Sequence, residues 1–283
     1  MNRIETIFAQ ARAQQRRLLM PFVCGGSPTL DSTHTILPAL ERAGASIVEV
    51  GIPFSDPIAD GPVIAAAMHD ALQKGATPAK VFEAVRAVRP SLKVGLVAMV
   101  SISIVQRIGL GRFAKEAAAA GFDGVILPDV PLEEAQRCVS PIREAGLTCS
   151  LLVAPTTPPD RAEKIARACS GFVYLLARLG ITGASGGAGG GAGGGGAGRA
   201  GSTALDASAI AARVAALRQL TDLPIACGFG IATAEHVRAV VAPNAGNADA
   251  AIVGSALVDR LRAASDPAAE AEKMVRDLAT GLA

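Results

Sequence analysis

Residues 46–51 read Ser46-Ile47-Val48-Glu49-Val50-Gly51. Ile47, Val48 and Val50 place apolar side chains on both parities of an extended chain, so the run suits a strand covered on both faces. It follows Leu30–Ala43, a longer stretch flecked with charge that reads as a helix. Outward from this pair the same alternation recurs. Strands are predicted at Leu18–Val23, Ser46–Val50, Leu92–Met99, Gly124–Leu127, Thr148–Val153, Phe172–Leu176, Pro224–Cys227 and Ala250–Val253. Helices are predicted at Leu30–Ala43, Pro78–Val88, Gly111–Ala120, Leu132–Ala145, Pro159–Cys169, Asp206–Leu220 and Ala234–Val240, with a last one after Ser255.

Near-continuous apolar strands separated by helices imply a parallel sheet with helical cover. Eight such units in 283 residues imply closure into a (β/α)8 barrel of the TIM type, an α/β fold. An open, doubly wound sheet is the alternative. Against it, the first strand runs into Cys24-Gly25-Gly26-Ser27-Pro28, which is a turn and not the glycine fingerprint of a dinucleotide site. Between Met1 and Gln14 the apolar Ile4, Ile7, Phe8 and Ala11 fall at helical spacing among Arg3, Glu5 and Arg12. This predicts an extra N-terminal amphipathic helix and not a signal peptide. The expected organisation is one barrel domain over residues 1–283.

One segment breaks the rhythm. Gly183 to Gly201 holds twelve glycines in nineteen residues, the rest being five alanines, Ser185 and Arg199. Such composition cannot bury a core and predicts a mobile loop after the sixth strand, either a spacer or a lid over the barrel mouth.

Composition narrows the function. With 27 basic and 25 acidic side chains the formal net charge is +2, which gives no pull toward nucleic acid or anionic membrane. One tyrosine, eight phenylalanines and no tryptophan are too few for a base-stacking surface. No run is long and apolar enough for a transmembrane helix. Cys24, Cys138, Cys149, Cys169 and Cys227 form no C-x-x-C pair, an odd and scattered set that reads as buried reduced thiols and predicts a cytoplasmic location. His34, His69 and His236 are far apart and show no metal spacing, so no metal is expected.

In a barrel the reacting groups gather at the carboxyl ends of the strands. Glu49 is a carboxylate inside an apolar strand, an expensive placement without a task or a partner. Burial would raise its pKa toward neutrality and suit it to proton transfer. Alternatively it pairs with a Lys or Arg. The next loop, Pro53-Phe54-Ser55-Asp56-Pro57-Ile58-Ala59-Asp60-Gly61-Pro62, is stiffened by three prolines and a glycine. Asp56 and Asp60 are presented there, as functional carboxylates or as helix-cap and turn residues. Opposite lie two glycine turns, Gly228-Phe229-Gly230-Ile231 and Gly254-Ser255-Ala256, after the seventh and eighth strands. Barrels bind phosphate at this place through backbone N–H groups and a helix N-terminus, although both turns also suit ordinary connections. There is no Walker-type Gly-Lys-Ser, and no lysine near the mouth within an apolar strand, which argues against a Schiff-base aldolase.

The block Glu49-Val50-Gly51-Ile52-Pro53-Phe54-Ser55-Asp56-Pro57 with Ala59-Asp60-Gly61-Pro62 resembles the tryptophan synthase alpha chains. The resemblance extends over Phe22 to Gly26, Pro128-Asp129-Val130-Pro131, Tyr174 to Arg178, Gly180-Ile181-Thr182-Gly183, Gly228 to Ile231 and Gly254-Ser255, nearly the whole chain in order. It implies a carbon–carbon lyase that cleaves indole-3-glycerol phosphate to indole and glyceraldehyde 3-phosphate, with Glu49 and Asp60 as the catalytic pair. It implies Phe22, Tyr174 and Phe229 at the substrate, Thr182 orienting Asp60, and Gly183, Gly230, Gly254 and Ser255 at the phosphate. It further implies no cofactor in this chain and a beta-chain partner holding pyridoxal phosphate, assembled as α2β2, with Asp56 and Pro57 near the contact.

Two departures stand out. After the third strand many relatives carry a tyrosine facing the indole, where this chain has Met99-Val100-Ser101-Ile102-Ser103, with Ile102 in place of an aromatic. The sixth loop is also longer than the family's, and Arg199 is the arginine it offers. These departures motivate a second reading, a subunit that binds and activates a beta chain with weak or no lyase activity. A third is another phosphate-binding barrel enzyme such as an isomerase, which shares the glycine turns but not the Glu49-to-Pro62 block.

Overall fold

Asn2 opens the first helix, α1 (Arg3–Ala13): its side chain accepts the Ile4 N–H at 2.9 Å while the Glu5 carboxylate accepts the Asn2 N–H at 2.9 Å. This reciprocal cap satisfies two of the otherwise orphaned helix-start amides. The computed structural model describes residues 1–57, 60–176, 207–228 and 230–283. Thr182, Gly183, Arg199 and Phe229, and the glycine-rich stretch 183–201, lie outside the described residues.

Eight strands follow: β1 (Leu18–Cys24), β2 (Ile47–Gly51), β3 (Gly95–Met99), β4 (Gly124–Leu127), β5 (Thr148–Val153), β6 (Val173–Leu176), β7 (Ile225–Gly228) and β8 (Ala250–Val253). Each pairs in parallel with the next, and β8 returns to β1 with Leu18 opposite Ala250. The sheet is a closed barrel, which excludes the open doubly wound alternative.

Helices cover the outside: α2 (Ser32–Arg42), α3 (Pro62–Gln73), α4 (Pro78–Val88), α5 (Ile102–Ile108), α6 (Leu110–Ala120), α7 (Leu132–Glu144), α8 (Pro159–Ala168), α9 (Ala207–Arg218), α10 (Ala234–Val241), α11 (Ser255–Ala263) and α12 (Pro267–Ala279). The connections after β2, β3 and β8 therefore carry two helices each, where the sequence pattern predicts one. Among the described residues no helix is long and apolar enough to cross a membrane. All five cysteines are buried and free.

Strand parity divides the core. Leu18, Met20, Ile47, Val97, Ile126, Phe172, Tyr174, Ala226, Ala250 and Ile252 cluster in the barrel interior together with Ile4 and Phe8 of α1. Thus α1 plugs the amino-terminal end of the barrel, with the Phe8 and Phe172 rings 5.8 Å apart. Each large side chain buried in this way contributes about 1.5–3 kcal/mol. The alternate residues, among them Leu19, Val48, Val50, Leu96, Val125 and Leu151, face the helices. Both parities are buried, which is why the strands read as continuous apolar runs.

Two matching clamps fix the same end. Asp123, just before β4, accepts the Leu96 N–H of β3 at 2.9 Å and an Arg89 N–H at 3.1 Å. Asp249, just before β8, accepts the Ile225 N–H of β7 at 2.8 Å and an Arg218 N–H at 3.0 Å. Helix α1 lends a cation to each: Arg3 lies 3.6 Å from Asp123 and Arg12 lies 3.2 Å from Asp249. Burial alone would raise the Asp249 pKa, but the Arg12 hydrogen bond, the Ile225 amide and Arg218 outweigh it and hold the carboxyl below its ordinary value. With the amino-terminal end locked in this way, the opposite end is free to carry chemistry.

Candidate active site

At the carboxyl end of the strands, Phe22 and Cys24 of β1 pack with Ile64, Ala67, Met68 and Ala71 of α3 and with Val258 of α11. This apolar wall lines one side of the mouth. Glu49 shares the inward parity of Ile47, in register with Phe22 on β1 and Val97 on β3. It is 0 % exposed, and among the described residues neither carboxyl oxygen has a hydrogen-bond partner. The expected alternative of a salt-bridged glutamate does not hold, since no ion pair reaches Glu49 among the described residues. Burial without compensation pushes its pKa up to about 8, so the group carries a proton at neutral pH.

Asp60 ends the loop after β2. Its N–H donates to the Pro57 carbonyl at 3.0 Å, which closes a turn and holds the side chain half-buried. It is not the cap of α3, because Gly61 occupies that position. Burial, then the nearby Asp129 carboxylate, raise the Asp60 pKa to about 6, below neutrality. One carboxyl protonated and one ionised is a division of labour suited to acid–base chemistry.

Tyr174 points inward on β6. Its phenol is pushed well above its ordinary value, first by burial and then by the charges of Glu49, Cys227 and Asp60. Room for the ring depends on Gly228 of β7: a Cβ there would lie 2.6 Å from the Tyr174 hydroxyl and 3.1 Å from the Ile252 Cβ.

Across the mouth, Gly230 has φ 81°, a left-handed conformation that favours glycine. Gly254 caps α11, and Ser255 is the first residue of that helix. Among the described residues the buried Ser255 Oγ has no partner, and it lies at the first turn of the helix. A hydroxyl beside the start of a helix is an arrangement of the kind that can accept an anion. Asp56 is exposed on the rim and accepts the Ser55 hydroxyl at 2.7 Å, with Pro57 half-buried beside it.

A model of the tryptophan synthase alpha chain family matches residues 8–189 and 195–282. The chain belongs to the tryptophan synthase alpha chain family. It is 42% identical to the tryptophan synthase alpha chain of Chloroflexus aggregans over 98% of this chain and 97% of that one. It is 41% identical to that of a Synechococcus species over 91% of this chain and 88% of the relative. The solved tryptophan synthase subunit alpha of Legionella pneumophila superposes with a TM-score of 0.84 at 29% identity, covering 100% of this chain and 98% of that one.

As a tryptophan synthase alpha chain, the protein is the lyase that cleaves indole-3-glycerol phosphate in tryptophan biosynthesis. The isomerase reading falls with this membership. The break between the two matched segments lies within the glycine-rich stretch, where the sequence departs from the family. Ile102, singled out as the residue in place of an aromatic, packs half-buried toward the helix-side core and not toward the barrel interior. Met99 is the inward residue at the end of β3, touching both the interior cluster and the apolar wall at the mouth. Counting by two from Val97 identifies it. The family's expected aromatic position points instead to Ile102. Among the described residues there is no cluster of three or more His, Cys, Asp or Glu side chains able to hold a metal ion.

Proposed function

We propose that Glu49 and Asp60 are the catalytic pair of this lyase. A protonated Glu49 delivers its proton to indole C3, making the ring a cationic indolenine and a competent leaving group. The bond from C3 to the glycerol carbon then breaks. Its electron pair returns to the ring, the hydroxyl proton of that carbon passes to the ionised Glu49, and an aldehyde remains. Indole and glyceraldehyde 3-phosphate leave with Glu49 again protonated. Asp60, anionic at neutral pH, accepts a hydrogen bond from the ring N–H and stabilises the positive charge that develops there.

The carrying observation is Glu49 itself, a fully buried carboxyl at the carboxyl end of β2 with no hydrogen-bond partner among the described residues. A subunit that only activated a partner would have no use for so costly a group, so the lyase reading is preferred to the activator reading. Phe22 and Tyr174 flank the indole, and Met99 supplies the wall opposite. Gly230, Gly254 and Ser255 hold the phosphate. Thr182, Gly183 and Phe229 belong to this site by family resemblance alone. A beta chain holding pyridoxal phosphate is the partner, seated near Asp56 and Pro57 in an α2β2 assembly. The chain itself works without a cofactor, in the cytoplasm, as one barrel domain over residues 1–283.

Release of indole and glyceraldehyde 3-phosphate from indole-3-glycerol phosphate tests the assignment. Glu49→Gln and Asp60→Asn are each expected to lose turnover by on the order of 10³-fold while remaining folded. Full turnover in either variant removes that residue from the mechanism.

A further inference from the structure

Gly51 closes β2 on the inward parity of Ile47 and Glu49, opposite Cys24 on β1 and Met99 on β3. Its backbone lies outside the left-handed region, so the chain conformation there does not itself require glycine. The requirement comes from Phe22. A Cβ on Gly51 would lie 2.5 Å from Cζ and 2.8 Å from Cε2 of the Phe22 ring. Its next neighbour among the described residues, the Val23 carbonyl oxygen, would be an ordinary 3.6 Å away. The ring edge thus occupies the place of the missing side chain. The strand is held against the ring, because the Gly51 carbonyl accepts the Gly25 N–H at 2.8 Å and the Ile52 N–H donates to the Met99 carbonyl at 2.9 Å. Phe22 is buried in the apolar cluster at the mouth and stands level with Glu49 in the β1–β2 register.

We propose that Gly51 is a positioning residue for indole-3-glycerol phosphate cleavage: the space left by its absent side chain seats the Phe22 ring, and the seated ring fixes the indole beside Glu49. This rests on Phe22 flanking the indole. An added methyl would fall well inside van der Waals contact with two ring atoms, and with the strand end tied on both sides the ring is the part that moves. Proton transfer from Glu49 to the indole depends on placement to within about 1 Å, so a displaced Phe22 lowers turnover as well as binding. The glycine turn before α11 meets the other end of the same side chain: a Cβ on Gly254 would have the Phe22 Cβ as its nearest neighbour, at 3.7 Å. A shift of the ring edge at Gly51 therefore changes the seat of the indole and leaves the phosphate end in place.

The test compares Gly51→Ala, Phe22→Leu and the double variant in the full chain. Cleavage of indole-3-glycerol phosphate is measured alongside competitive inhibition by glycerol 3-phosphate, which carries the phosphate but no ring. Gly51→Ala is expected to lose kcat/KM on the order of 10²-fold while the inhibition constant for glycerol 3-phosphate stays unchanged. Leucine has no atoms to match Cε2 and Cζ of the ring, so the double variant is expected to match Phe22→Leu and not to show the product of the two losses. If Gly51→Ala does not fold, a folded double variant supports the inference, and misfolding of both overturns it. Weakened inhibition by glycerol 3-phosphate, or losses that simply multiply, also overturns it, because Gly51 would then act on the strand end as a whole. If Phe22→Leu is impaired while Gly51→Ala matches the parent, only this inference fails. If Phe22→Leu cleaves the substrate as the parent does, the placement of Phe22 at the indole fails and takes this inference with it.

Discussion

A carboxyl in a dry barrel interior loses hydration when it ionises, and at Glu49 nothing replaces that hydration. The native state therefore keeps a proton that the unfolded chain releases near 4.5, the ordinary value for glutamate, until pH reaches about 8. Between those values the native state binds more protons than the unfolded state, so stability falls as pH rises, by about 1.4 kcal/mol per unit for this group. Glu49→Gln removes the penalty. The variant is expected to be more stable than the parent by on the order of 3 kcal/mol at neutral pH and to gain nothing below about pH 4. Urea unfolding at the two extremes measures this, and a destabilised variant at neutral pH contradicts it. Glu49 stood out in sequence because a carboxylate sits there where an apolar residue is cheaper, whereas Asp60 was one of two loop aspartates and was singled out by the family resemblance alone. Met99 did not stand out, because it differs from its neighbours only in facing inward, and that parity depends on where β3 ends.

Single elements position these groups by close approach. The end of β7 passes Tyr174 so closely that Gly228→Ala places a methyl 2.6 Å from the phenol oxygen. Moving the ring is expected to lower kcat/KM for indole-3-glycerol phosphate and to cost about 1–3 kcal/mol of stability, the scale of overpacking a core. Gly254→Ala is the packing control, since its nearest contact would be an ordinary 3.7 Å from Phe22. Equal melting temperatures for the two variants would show that the close approach at Gly228 carries no strain. Helix α3 shows what element reading missed. Its buried Ile64, Ala67, Met68 and Ala71 follow helical spacing behind Pro62, a favoured first helical residue. A search for one helix per strand assigns the connection after β2 to α4 and leaves these residues unclaimed. Helix α5 is hidden differently, being short, with one buried residue, Val105.

For the whole molecule, helical cover on both faces was readable because most strands are apolar on both parities, and closure was readable from the eight strand–helix units in one chain. The plug at the amino-terminal end was readable only as an amphipathic helix. Its destination depends on Ile4 and Phe8 meeting side chains far along the chain. The Asp123 and Asp249 clamps were invisible for the same reason, since each joins elements distant in sequence whose charges look like ordinary surface residues. The molecule thus locks one end with satisfied charge and carries at the other a buried, proton-bearing Glu49 and a half-buried Asp60. The measurement that tests this most directly is kcat/KM for indole-3-glycerol phosphate as a function of pH. The expected profile rises through about 6 as Asp60 ionises and falls through about 8 as Glu49 gives up its proton. A profile that rises near the ordinary carboxylate range and stays level through 8 would contradict it, because turnover would then not depend on a proton held by Glu49.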